Sequence, residues 1–132
     1  MTTVLTHLPN QIAVRATLSL TLVVSGIAHA YLYIHGYHQI PTVGTAFVVQ
    51  GSAFISLAVL ILFGGPRWLY SAAGLAALAS LVAFAMSRTV GLFGFVENGW
   101  DPPFGPLTVA AEALTVLLAA VLVLPQLRRS LK

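Results

Sequence analysis

Four stretches with almost no charge dominate this chain: residues 15–34, 43–63, 68–87 and 107–124. A helix rises 1.5 Å per residue, so about 17 to 25 apolar residues cross the hydrocarbon core of a bilayer, and each stretch falls in that range. Hydrocarbon offers the backbone no water to bond, which leaves helices that satisfy their own amides as the structure open to such segments. The chain therefore reads as all-α, an integral membrane four-helix bundle in a single domain over residues 1–132. Composition agrees, with 58% hydrophobic and 7% charged residues, against about 25% charged in an ordinary soluble domain.

Glycine and proline mark the gaps between the stretches. Gly36 and Pro41 follow the first, and Gly64-Gly65-Pro66 the second. Pro102-Pro103 and Gly105-Pro106 precede the fourth, and Pro125 follows it. The apolar stretch that ends near Ala28-His29-Ala30 is longer than the core of a secretory signal, so it reads as a span, with the residues before Arg15 as a short lead.

Orientation follows from the basic residues, which are retained on the cytoplasmic side of short loops. Arg15, Arg67, Arg128, Arg129 and Lys132 fall on one side of a four-span chain, and Arg88 alone on the other. The expected layout has both termini inside a bacterial cell membrane and two outer loops, residues 35–42 and 88–106. The net charge of +3 does not point to nucleic acid, because the cations stand singly at span ends and form no basic patch. There is no cysteine, which excludes disulfides and thiolate chemistry.

Within lipid, helices associate through small residues and interhelical polar contacts. Each span carries such a face: Ser19, Leu22, Gly26, His29 and Tyr33; Phe47, Gln50, Gly51 and Phe54; Gly74, Ala77, Leu81, Phe84 and Arg88; Thr108, Glu112, Thr115 and Ala119. Counting from the outer boundary at 1.5 Å per residue puts His29 roughly 8 Å deep, Gln50 roughly 10 Å and Glu112 roughly 8 Å. Arg88 closes the outer end of the third span. A carboxylate inside a span is costly and needs a partner; the expected one is Arg88, whose fork of donors suits it, with His29 second. The cluster His29, Gln50, Arg88 and Glu112 reads either as glue that fixes bundle register or as a small outward-facing pocket.

Two other features carry chemistry. His29, His35 and His38 offer imidazoles suited to zinc, copper, iron or haem, but their spacing is loose, and with Tyr31, Tyr33 and Tyr37 they equally form an interfacial aromatic belt. The long outer loop holds Phe93, Phe95, Trp100 and Phe104, rings expected to lie on the membrane surface, fold over the bundle mouth as a lid, or dock on a partner. Its Glu97 and Asp101 are a sparse ligand set for a cation. No phosphate-binding glycine loop, nucleophile elbow or zinc-protease motif occurs, so nothing points to catalysis and no cofactor is strongly implied.

The run Ser87-Arg88-Thr89-Val90-Gly91-Leu92, the acidic, proline-rich loop behind it and a fourth span with Glu112 resemble small four-helix bacterial membrane proteins of uncharacterised function. In size and layout the chain also resembles the DoxX-like group of four-helix membrane proteins. The resemblance covers the last third best; it implies the bundle architecture and Arg88 and Glu112 as a linked pair, and no reaction. The function expected from all this is a small, non-catalytic accessory subunit of a larger membrane complex, with the lipid bilayer and other membrane subunits as partners. The alternatives are a stand-alone binding or transport module built on the polar pocket, and a histidine-ligated metal or haem protein.

Overall fold

The computed structural model describes residues 2–132, with side chains from residue 11 onward. Its named elements are helices and one short 3-10 turn: α1 (Thr2–Ile34), the turn Tyr37–Gln39, α2 (Val43–Leu62), α3 (Trp68–Arg88) and α4 (Phe104–Ser130). All four helices are long and apolar enough to cross a membrane, α1 over Gln11–Ile34. α1 thus begins well before Arg15, so the lead is helix. α4 likewise continues past Leu124, with Pro125 inside it. Proline there removes one backbone donor, close to the helix end, where other partners can satisfy the freed carbonyl. At the other end α4 starts at Phe104, with Pro106 in its first turn, where a missing N–H costs little.

The α2–α3 turn shows how local sequence sets a helix end. Gly64 takes a positive φ of 86°; its N–H bonds to the Ile61 carbonyl and that of Gly65 to Leu60, at 3.2 and 2.8 Å. This is the paired capping arrangement that a left-handed glycine allows, with Pro66 behind it to prevent continuation. Arg15 of α1 adds a third cap, donating from its guanidinium to the Ile61 carbonyl at 2.9 Å. A cation at a helix C-terminus also complements the helix dipole.

The helices are arranged around a ring in the order α2, α1, α4, α3. α1 packs extensively on α2 and α4, and α3 on α4, whereas α2 and α3 meet only sparsely. The ring is therefore incomplete along one side. The expected inward faces are buried: Ser19, Leu22 and His29 on α1, Phe54 on α2, Ala77 on α3, and Thr108, Glu112, Thr115 and Ala119 on α4. The apolar core lies in the half of the bundle nearest the termini, where Leu18, Leu22, Phe54, Ala58, Ile61, Leu69, Tyr70 and Ala73 interlock. Toward the connecting loops this packing gives way to polar side chains and a cavity.

α1 and α2 cross at Gly26 and Gly51. A β-carbon on Gly51 would stand 3.2 Å from the Gly26 carbonyl oxygen, and one on Gly26 would stand 2.9 Å from Ile55 Cδ1. Close backbone approach of this kind is the usual basis of helix association in lipid. Gly51→Val is expected to destabilise the folded bundle by about 1–3 kcal/mol, the usual range for overpacking, read as a lower unfolding midpoint in detergent micelles.

Candidate functional site

Glu112 is 1% exposed and sits on the inward face of α4. Its Oε1 accepts hydrogen bonds from Ser25 Oγ of α1 at 3.0 Å and from Ser80 Oγ of α3 at 2.8 Å. His29 Nε2 lies 3.7 Å from the same oxygen, too far for a hydrogen bond but in direct electrostatic contact. The opposite ring nitrogen, Nδ1, lies 2.8 Å from the Ser25 carbonyl. A carbonyl only accepts, so Nδ1 carries a proton. When the pair holds one proton, Nε2 then faces Glu112 as a lone pair opposite a neutral carboxyl or as an N–H opposite a carboxylate. When that proton is lost, a neutral imidazole lies beside a carboxylate that Ser25 and Ser80 still donate to.

Arg88 does not pair with Glu112, contrary to the expectation from charge alone. Ser80 marks the level of Glu112 on α3, and Arg88 is two turns further along, about 12 Å at 1.5 Å per residue, beyond the reach of its side chain. The guanidinium instead donates to the Gly99 carbonyl and lies 4.5 Å from the Phe84 ring centre and 4.4 Å from that of Trp100. A planar cation over aromatic faces is a favourable substitute for a carboxylate.

All four residues of the expected polar cluster, His29, Gln50, Arg88 and Glu112, nevertheless border one cavity of about 240 Å³. Its floor is Glu112, His29, Ser80 and Thr108; its walls are largely apolar, with Phe47 of α2 and Phe84 of α3 prominent. Ala46 and Ala79, on the two helices that meet sparsely, border it as well, so the cavity lies along the open side of the ring. Three polar atoms around it have no hydrogen-bond partner in the protein: Gln50 Nε2, Arg88 Nε and Thr108 Oγ1. Buried polar atoms are nearly always paired, so a polar group or water in the cavity would satisfy these three; Arg15 Nε and Ser19 Oγ, away from it, are unpaired as well.

The α3–α4 connection covers part of the cavity mouth. Leu92 and Phe95 exchange backbone hydrogen bonds at 2.8 and 2.9 Å around Phe93-Gly94, where both central residues have positive φ, the two-residue hairpin geometry. Phe95 and Trp100 border the cavity. Phe93 points away and is exposed, and Phe104 stacks on Tyr31 at 3.9 Å between ring centres. The four loop aromatics thus divide between cavity mouth and periphery. Gly105 fixes Trp100: a β-carbon there would fall 1.9 Å from the Trp100 carbonyl oxygen, so only glycine admits the loop this close.

Tyr37, Glu97 and Asp101 form a second polar group at the mouth. The Tyr37 hydroxyl is within hydrogen-bonding reach of both carboxylates, joining the α1–α2 turn to the long loop. Burial first, then these hydrogen bonds and the adjacent negative charge, hold the phenol's pKa well above its ordinary value near 10. Tyr37 therefore stays protonated wherever the bundle is folded at ordinary pH. The outer histidines do not converge: His35 Nδ1 lies 2.8 Å from the Tyr31 carbonyl and His38 Nδ1 2.9 Å from that of Tyr33. Among the described residues no three His, Cys, Asp or Glu side chains come together as a metal site.

Ser25 and Ser80 were not singled out from sequence, whereas Phe47 and Thr108 were expected on inward packing faces and Tyr37 in the aromatic belt. Ser25 had a usable signal, one helical turn before His29 on the same face; Ser80 had none beyond its place in a span. Comparisons with protein-family models, with curated proteins and with solved structures return no match.

Replacing Ser25 or Ser80 by Ala removes one donor from a buried carboxyl. Each change is expected to cost about 0.6–2 kcal/mol, the range for interhelical polar contacts in membranes. Because both donors share Oε1, the double variant is expected to depart from additivity, which a double-mutant unfolding cycle in micelles would measure.

Proposed function

We propose that this chain is a membrane binding module whose cavity takes up a small, mainly apolar molecule bearing one polar group. The observation that carries this reading is the cavity itself: apolar walls, a polar floor centred on Glu112, and unpaired polar atoms on three sides. Binding sites for small molecules have this character, a largely apolar enclosure with a few placed polar groups. A network serving only to fix register would be expected to satisfy its own donors and acceptors.

The distribution of basic residues supports a topology with both termini in the cytoplasm. The loop end, and with it the cavity mouth, then lies in the outer leaflet of the cell membrane. The resemblance to small four-helix bacterial membrane proteins supports a bacterial setting. His29, Gln50 and Glu112 act as the polar contacts, Arg88 and Trp100 form the rim, and the chain performs no covalent chemistry in this reading.

Trp100 at the rim is a natural reporter. In nanodiscs, a small aromatic such as toluene should change its fluorescence saturably, and filling the cavity with Ala79→Phe should weaken that binding at least tenfold. Absence of saturation, or indifference to the filling substitution, would refute the binding reading.

A second reading, a non-catalytic accessory subunit, is favoured by a different surface. The outward side of α2 exposes Ser52 and Ser56, with the Ser56 hydroxyl bonded back to the Ser52 carbonyl at 2.8 Å. Small side chains on a lipid-facing surface suit close packing by another helix. This reading expects the chain to co-purify with membrane partners after gentle solubilisation; recovery as a homogeneous monomer counts against it.

A further inference from the structure

The acidic residues around the cavity outnumber the fixed cations. Glu112 lies at its floor, and Glu97 and Asp101 at its mouth, against the single guanidinium of Arg88. Arg88 is at the rim, held by Gly99, Phe84 and Trp100, so its charge lies about 12 Å from the level of the floor. The groups facing the interior are complete element by element. α1 gives His29, the following turn gives Tyr37, and α2 gives only uncharged Gln50. α3 ends in Arg88, the long loop supplies Glu97 and Asp101, and α4 supplies Glu112.

Ring faces are abundant in the same space. Tyr37 stacks on Phe47 at 4.5 Å, Phe95 stands edge-on to Tyr37 at 6.1 Å, and Phe84 meets Trp100 at 5.8 Å. Aromatic faces with a carboxyl group at the end of the pocket are the chemistry that recognises an organic cation. The opening between α2 and α3 faces the bilayer, where a cation with an apolar body concentrates.

We propose that the cavity binds a lipophilic monocation, a protonated or quaternary amine on an apolar body, entering from the bilayer between α2 and α3 and displacing the proton held by His29 and Glu112. The proposal rests on the binding-module reading. A His29–Glu112 pair that holds one proton is neutral overall, so a cation beside it would bring an uncompensated charge into a site of low dielectric constant, which is strongly unfavourable. The proton therefore leaves as the cation arrives: one charge enters the site, one exits through the mouth, and no bond other than the acid O–H or N–H is broken. The unpaired Thr108 Oγ1, on a residue 8% exposed, can then accept from or lie against the cationic end, whereas Gln50 Nε2 is a donor and faces the ligand's body.

The test uses the full chain in nanodiscs with Trp68→Phe, since Trp68 lies at the opposite end of α3 and is exposed. That leaves Trp100 as the sole tryptophan. Its fluorescence is titrated with three probes of matched shape: benzyltrimethylammonium, its neutral isostere neopentylbenzene, and phenylmethanesulfonate. At pH 8 the cation should bind at least tenfold more tightly than the neutral probe, and the anion least. Glu112→Gln should remove that advantage, bringing the affinity for the cation down to that for neopentylbenzene in the same variant. Cation affinity should fall as pH is lowered to 5, and should still fall in the Glu97→Gln/Asp101→Asn variant, which retains the floor pair.

Should Glu112→Gln fail to fold, proton release decides the matter with the unaltered floor: adding the cation in weak buffer at pH 5, where the pair holds its proton, should liberate about one proton per cation bound. Equal affinity for cation and neutral probe, preference for the anion, or binding without proton release at pH 5 would each overturn the proposal and leave the cavity reading intact. Failure of all three probes to bind saturably would overturn both.

Discussion

A carboxyl group inside hydrocarbon has to find its hydrogen bonds on neighbouring helices, and Glu112 finds them on two. Ser25 and His29 come from α1 and Ser80 from α3, so one side chain of α4 joins three of the four helices. Each contact is individually modest in a membrane, yet removing all of them would strand a polar group where no water can replace them. This requirement sets the rotation of α1, α3 and α4 about their axes and thereby what their remaining faces present. Thr115 and Thr21, hydrogen-bonded at 2.8 Å, repeat the α1–α4 link one turn deeper.

The division of the bundle into a packed half and a hollow half follows from where small and large side chains fall. Near the termini Phe54, Leu18, Leu22 and Ile61 fill the interior, each at most 1% exposed. Toward the loops α3 borders the cavity with Ala79, Ser80 and Ala83, which leave space opposite Phe47 and Gln50 of α2. Loop aromatics then complete the enclosure from above.

Much of this was legible in the residues because a helix is a ruler. Counting along four spans placed His29, Gln50 and Glu112 at one depth, and they do border one cavity. The same count left Arg88 roughly 8 Å above Glu112, within reach of a long side chain; the structure sets Ser80, eight residues before Arg88, at the level of Glu112, a register the sequence does not carry. Ser25 and Ser80 escaped notice because serine is unremarkable in a span, and its role depends on which helix faces it. The approach of Trp100 to Gly105 depends on loop packing, for which sequence periodicity carries no information. The span limits were blurred at both chain ends because helix continues beyond the apolar core: past Pro125 in α4 and before Arg15 in α1.

α2 stands apart from the network centred on Glu112. Its side chains donate no hydrogen bond to another helix among the described residues, and the cross-helix bond it accepts, from Arg15 to the Ile61 carbonyl, lies at its far end. Near the loops it rests on α1 through the glycine crossing, and Phe47 packs on Tyr37 and His29 at 4.5 and 5.0 Å between ring centres. Around the interior, the side formed by α2 is thus held by packing and ring contacts, whereas the floor beneath it is held by hydrogen bonds.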